Sequence, residues 1–255
     1  MTSTEDTEDT AVGEPSWYLK CRREDVGDRA VLVGDRGRVT KAAELLDRPR
    51  WFGKERGLTT VTGEFAGTTV TVAAFGMGAP VAAVVLHELA GLGVRTFLRL
   101  GTALAVGPTR LGDLVLAEGA VRHESTSATY LPMNYPAVAD FELSSALRAG
   151  LTSSACGWRS GLYVSFDGFY TQMFALDAER ERGISDQLGE LVRHGVCAVD
   201  METSTVLVAA RALGARAGSL CLASVDGVTQ RKLDTEPRAE AERELLRVGL
   251  TALTA

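Results

Sequence analysis

Short apolar runs recur along the chain, each closed by glycine, proline or a charged cluster, and they alternate with stretches of helical period. Ala30 to Val33 reads as a buried strand. It ends at Gly34-Asp35-Arg36-Gly37-Arg38, after which Val39 to Leu46 reads as a helix. Val61 to Phe65 and Thr69 to Phe75 read as a hairpin turning at Ala66-Gly67. Gly76, Gly78 and Pro80 interrupt the chain before a helix from Val81 to Leu92. Thr96 to Leu100, Leu114 to Ala120, Leu162 to Ser165 and Ala217 to Val225 read as further strands, Val206 to Leu213 as a helix, and Arg238 to Leu253 as a closing amphipathic helix. Strands alternating with helices predict an α/β fold: one domain with a twisted, mixed sheet covered by helices on both faces. No repeat or linker divides residues 15–255. Residues 1–14, poor in apolar side chains and rich in Thr, Glu and Asp, are expected to be disordered.

Composition narrows the classes. With 255 residues, 45% of them hydrophobic, the chain can bury one sizeable core. No apolar run reaches the roughly 18 residues of a membrane span, and Thr2 to Glu14 carry neither the basic nor the apolar region of a secretory signal. Cys21, Cys156, Cys197 and Cys221 lie far apart without C-x-x-C spacing, so no metal site and no disulfide framework is expected, and reduced thiols of a cytoplasm fit. A net charge of −6 argues against a nucleic-acid partner. It leaves room for a small anion held by local arginines.

Three segments carry candidate chemistry. In Gly34-Asp35-Arg36-Gly37-Arg38, glycine allows close backbone approach, a helix N-terminus favours negative charge, and Arg38 adds a forked donor. The same letters also make an ordinary strand-to-helix turn with surface arginines. In Phe97-Leu98-Arg99-Leu100-Gly101-Thr102, a charge sits inside an apolar strand. A buried Arg99 needs an anionic partner; on an edge strand it would simply face solvent. In Val199-Asp200-Met201-Glu202-Thr203, Glu202 opens a helix, either as a first-turn acid or as a carboxylate able to hold a diol.

Taken together and in order, VLVGDRGRVTKAAELL, HELAGLGVRTFLRLGT, YPAVADFELSSAL and VDMETSTVLVAA resemble the uridine phosphorylase-like branch of the nucleoside phosphorylases, from about Tyr18 to the C-terminus. The resemblance implies phosphorolysis of a nucleoside to free base and ribose 1-phosphate, with inorganic phosphate as co-substrate and no other cofactor. It implies phosphate binding by Gly34, Arg38, Arg99 and Thr102, with Arg56 contributed by a neighbouring subunit, and ribose binding by Met201, Glu202 and the neighbour's Tyr18. Tyr18 stands where relatives usually carry a His. Shared sites imply at least a dimer, and the family suggests a hexamer.

For the base, the resemblance points to Phe169 as stacking partner, with Gln172 and Asp200 nearby. The Gln-Arg pair by which uridine phosphorylases read uracil is displaced: Gln172 comes one place early and no arginine follows. Ser224-Val225-Asp226-Gly227 resembles the Val-Asp-Gly of protozoan purine nucleoside phosphorylases. That assigns Asp226, with a raised pKa, as the acid toward purine N7, although an aspartate before glycine is also an ordinary turn. Purine nucleosides (inosine, guanosine) are therefore placed first and uridine second. A nucleoside hydrolase and a non-catalytic nucleoside-binding protein are the further alternatives. Leu104 is expected to crowd the base side, and His87, His123 and His194 match no catalytic position.

Overall fold

The computed structural model describes residues 14–53 and 55–255, so the disorder expected of residues 1–14 lies outside the described residues except for Glu14. The strands are β1 (Arg29–Val33), β2 (Asp47–Phe52), β3 (Thr60–Phe65), β4 (Thr68–Ala74), β5 (Thr96–Ala105), β6 (Leu114–His123), β7 (Ala137–Val138), β8 (Trp158–Phe166), β9 (Val196–Asp200) and β10 (Arg216–Asp226). The helices are α1 (Arg36–Ala43), α2 (Ala79–Gly91), α3 (Phe141–Thr152), α4 (Ala178–Arg193), α5 (Thr203–Ala212) and α6 (Thr235–Thr254).

The sheet runs β10-β6-β8-β9-β5-β1-β4-β3-β2, with β7 beside β6, and β10 also pairs with β5. β5, β9, β8, β6 and β10 therefore close into a ring, while β1, β4, β3 and β2 extend from β5 as an open wing. The sheet is mixed, as expected: β1 is parallel to β4 and β5, and β10 to β5, whereas β3 is antiparallel to β4 and β9 to β5. The closure is not legible in the hydrophobic pattern. A ring this narrow is filled mostly by small side chains packed around one large one. Its interior holds Ala103, Ala105, Ala117, Ala198, Ala223, Cys197, Cys221 and Val115 around Tyr163, whose hydroxyl donates to the Val115 carbonyl at 2.7 Å.

On the wing and along β5, side chains alternate between two helical layers. Val31, Val33, Leu98 and Leu100 pack with Leu245, Leu246 and Leu250 of α6. Ala30, Leu32 and Phe97 pack with Val85 and Leu86 of α2 and Val206 of α5. The expected helices and strands are present, with shifted ends. The helix expected at Val39 starts at Arg36, because Asp35 caps it by accepting from the Gly37 N–H at 2.9 Å. β2, β7, β9, α3 and α4 lie outside the elements read from the sequence. β2 is an edge strand with its side chains largely exposed around Pro49, and α4 buries only Ile184 and Leu188 among its charges.

Candidate active site

Alternation along β5 fixes the first element of the site. With Leu98 and Leu100 committed to the α6 layer, Arg99 points to the other face, where the chain from β9 into α5 brings Asp200 and Glu202. Arg99 is 3% exposed. Its Nη2 pairs with Glu202 Oε2, lies 3.2 Å from Asp200 Oδ2, and Nη1 donates to the Cys221 thiol. Burial works against the guanidinium charge, but the neighbouring Cys221, Asp200 and Glu202 more than offset it, and its pKa stands well above the ordinary arginine value. The sequence expectation that Arg99 needs an anionic partner is met within the chain itself. Gly101, one turn of the pleat along, makes this arrangement possible. A Cβ there would fall on Arg99 Nη1 and lie 2.7 Å from its Cζ, so no side chain fits beside the folded guanidinium.

Glu202 is held from both sides. Besides Arg99, its Oε1 accepts from the Gly78 N–H at 2.7 Å, at the N-terminus of α2, where the helix dipole favours a carboxylate. Gly78 has φ +100° and Gly76 φ +86°, a left-handed backbone that glycine adopts freely. The turn after β4 touches the turn after β1: Gly76 N–H donates to Gly34 at 3.1 Å, and a Cβ on Gly34 would stand 2.8 Å from the Gly76 carbonyl oxygen.

Arg38 enters from α1 and is also 3% exposed. Its Nη1 donates to the Leu100 carbonyl at 3.2 Å and its Nη2 to Glu242 Oε1 at 3.3 Å, while its Nε is buried without a partner. Glu242 of α6 also receives Lys41 Nζ at 2.6 Å and Arg238 Nε at 3.2 Å, so three cations converge on one buried carboxylate. Burial raises its pKa most. The hydrogen bond from Lys41, the charges of Arg38 and Lys41 and the bond from Arg238 outweigh that and hold the net value below the usual 4.5.

These elements line one cavity of about 1250 Å³, which also receives Thr102, Met201, Phe169, Leu104 and Lys232. Tyr18 and Arg56 lie at its edge in the same chain, the Arg56 guanidinium 5.5 Å above the Tyr18 ring. Both oxygens of Glu88 accept from this rim, at 2.8 Å from the Tyr18 N–H and 2.9 Å from the Leu19 N–H. Arg56 has φ +53°, a left-handed conformation that aims it at the ring.

Of the twelve residues singled out in the sequence, ten line this cavity. Gln172 and Asp226 do not. Gln172 Oε1 accepts from the Gly168 N–H at 2.9 Å and so closes its own π-type turn, Phe169–Met173. Asp226 Oδ1 accepts from Val228 N at 3.0 Å and from Thr229 N and Oγ1 at 2.7 and 2.9 Å. The Thr229 backbone bond is the largest influence on it and lowers its pKa, as do the Thr229 hydroxyl and the Val228 N–H. This reverses the expectation of a raised pKa: the carboxylate is consumed in its own turn and has no proton to give. Asp200 lines the cavity but its side chain is fully buried. It accepts from Ser165 Oγ at 2.6 Å, Thr203 N at 3.1 Å and Thr203 Oγ1 at 2.5 Å, and therefore supports Arg99 instead of facing a base.

Phe169 faces the cavity and stacks on Phe174, ring centroids 5.6 Å apart. Leu104 is 4% exposed and packs in the cluster of Val106, Val199 and Met173, so it intrudes less than its size suggests. His87 is exposed beside the Tyr130 hydroxyl, His123 rests edge-on against Phe166, and His194 caps α4, all away from the cavity. Sequence reasoning missed Glu242, Arg238 and Lys232. Glu242 had a signal: its spacing from Leu245 and Leu246 puts it on the apolar stripe of α6, where an unpaired carboxylate would be costly.

Among the described residues no helix is long and apolar enough to cross a membrane. The profile of the Phosphorylase superfamily matches residues 28–253. The uridine phosphorylase of Escherichia coli is 32% identical over 227 residues, covering 88% of this chain and 90% of that protein. The guanosine phosphorylase of Halorubrum lacusprofundi is 32% identical over 248 residues, covering 93% and 98%. In structure, uridine phosphorylase from Vibrio fischeri superposes with a TM-score of 0.84 at 26% identity, covering 95% of this chain and 98% of that one. The chain belongs to the Phosphorylase superfamily and is an enzyme of the nucleoside phosphorylase kind, a pentosyltransferase.

Proposed function

We propose that this chain cleaves uridine with inorganic phosphate to uracil and ribose 1-phosphate. The observation that carries phosphorolysis is the convergence of Arg38, Arg99, Gly34 and Thr102 on one cavity. Guanidinium forks suit phosphate oxygens and fix the attacking one, which a hydrolase would not need. In this reading Glu202 and Met201 hold the ribose, whose diol takes the carboxylate, and Phe169 stacks on the base. The sugar passes through an oxocarbenium-like state that the phosphate anion stabilises. Two observations favour uridine over the purine preference read from the sequence. Asp226 is committed to its turn, which removes the acid that reading required, and several similar proteins are named uridine phosphorylase. Guanosine is the second reading, because a relative of nearly equal identity and greater coverage is named guanosine phosphorylase.

The test is a panel of uridine, thymidine, inosine, guanosine and adenosine, with and without phosphate, with free base separated by chromatography. Uracil release that requires phosphate is the expected result. Release without phosphate would mean hydrolysis, and phosphate-dependent guanine without uracil would favour the second reading.

We also propose that Arg56 and Tyr18 complete the site of a neighbouring subunit in a dimer or larger assembly. An Arg56→Ala variant and a Glu202→Ala variant are each expected to be inactive alone. Mixed after dissociation and reassembly, they should regain activity, because hybrid sites then combine an intact Glu202 with an intact Arg56. No recovery in verified hybrids would assign Arg56 to its own subunit's site.

A further inference from the structure

The chain after β10 folds back on the strand it has just left. Val225 and Lys232 form an antiparallel bridge, Leu233 N–H donates to the Ser224 carbonyl at 2.9 Å, and Asp226 N–H to the Arg231 carbonyl at 2.9 Å. The turn of this small hairpin is built by Asp226: its carboxylate gathers Val228 and Thr229, and its carbonyl accepts from Gln230 N–H at 2.9 Å. The Gln230 amide, oriented so that both its groups find partners, pairs with the N–H and carbonyl of Ala175, each at 3.1 Å. That anchors the hairpin to the segment carrying Phe169 and Met173.

The hairpin delivers Lys232 to the cavity. Its bridge partner Val225 lies opposite Leu104 on β5 and packs in the apolar cluster of Leu104, Phe169, Met173 and Met201. Lys232 is therefore a cation beside the apolar wall assigned above to the base, and among the described residues no carboxylate pairs with it. Lys232 is exposed at the cavity, as are Arg36 and Arg56 on the side of the turn after β1, whereas the buried Arg38 and Arg99 are each paired with a carboxylate.

We propose that Lys232 is a catalytic residue that donates to a ring carbonyl of the departing base, restricting turnover to nucleosides whose base carries an oxo group where that ammonium reaches. The inference rests on the phosphorolysis reading. As the C1′–N bond breaks, its electron pair passes to the base nitrogen and spreads onto the carbonyl oxygen. A phosphate oxygen forms the new bond to C1′, and the proton hydrogen phosphate gives up is regained by the base nitrogen through solvent. With Asp226 committed to its own turn, the negative charge is stabilised at the oxygen by the ammonium. An ammonium has three donors and no acceptor, so it matches a carbonyl and opposes an exocyclic amine. Uracil and guanine, the bases named in the two kinds of relative, both offer an oxo group; adenine offers an amine.

The test compares wild-type protein with Lys232→Met and Lys232→Arg, using uridine and 5-fluorouridine, whose base leaves more readily. In wild type, inosine is expected to be cleaved in preference to adenosine. Lys232→Met is expected to lower kcat for uridine roughly ten- to a hundredfold, to lower it less for 5-fluorouridine, and to leave KM for phosphate unchanged, with Lys232→Arg recovering part of the loss. Equal losses for the two uridines, an unchanged kcat, or preferential cleavage of adenosine would overturn the role of Lys232. Absence of any phosphate-dependent cleavage by the wild type would instead remove the phosphorolysis reading.

Discussion

Arg99→Met is expected to abolish phosphate-dependent base release and to lower stability at the same time. The guanidinium has two dependants of different kinds. Under the proposed mechanism it orients phosphate, and losing a forked, desolvated donor at that place should cost at least about a hundredfold in kcat/KM. It is also the cation between Asp200 and Glu202, both buried. Removing it leaves two buried carboxylates with hydrogen bonds but no cation, a loss of about 3–5 kcal/mol by analogy with broken buried ion pairs. In a chain of 255 residues that lowers Tm by on the order of ten degrees. Base release and a thermal melt on the same preparation separate the two effects. Near-normal activity would exclude Arg99 from the phosphate site, and an unchanged melt would mean that the two acids find water or protons elsewhere. Arg99→Lys keeps the charge but loses the fork, so it should recover more of the stability than of the activity.

The second large effect is expected at Glu242. Truncation to alanine strands Arg38, which is buried and already has one unpartnered nitrogen, and releases Lys41 and Arg238. A loss of about 3–5 kcal/mol is expected, together with a raised KM for phosphate and little change in KM for nucleoside, because Arg38 loses the anchor that sets its angle. The wild type should also show the titration of this carboxylate. Its folded pKa lies below 4.5, so the stability it contributes is complete above that value and is lost as pH falls from there through the lower folded value. Denaturant midpoints measured down this range should fall in wild type with a component missing from Glu242→Gln. Parallel curves for the two proteins would remove Glu242 from the acid-sensitive set.

What the sequence reveals about this molecule follows from the range of the interactions involved. The β3–β4 hairpin is readable because its turn and its alternation are local. Arg99 is readable because a charge inside Phe-Leu-Arg-Leu breaks a pattern and demands a partner. Glu242 hides among the many charges of α6, most of which are solvated; only its place on the apolar stripe distinguishes it. Asp226 shows the opposite failure. Val-Asp-Gly is compatible with an acid aimed at a base and with an aspartate that binds its own turn, and the outcome depends on two N–H groups that letters do not reveal. The ring closure depends on β10 reaching β5, strands far apart in the chain, and its trace in the sequence is no more than a scatter of alanines and cysteines at inward positions. Asp226, bound to its own turn, does not carry the purine preference drawn from it, while Gly34, Arg38, Arg99 and Thr102, set by strand ends and a glycine turn, line one cavity.

The pairing of Arg99 with Glu202 has a thermodynamic consequence. Each group occupies the other, although under the proposed reading one belongs to phosphate and the other to ribose. Under that reading the first co-substrate to bind draws one member out of the pair, leaving Arg99 with Asp200 alone or Glu202 with the Gly78 N–H alone, and the second then finds its group vacated. The two binding equilibria are therefore linked through a single broken ion pair, and linkage is reciprocal: phosphate tightens nucleoside binding by the same factor by which nucleoside tightens phosphate binding. The site favours being empty or doubly filled, and half-filled states, in which a lone nucleoside would wait beside water, are the ones it disfavours.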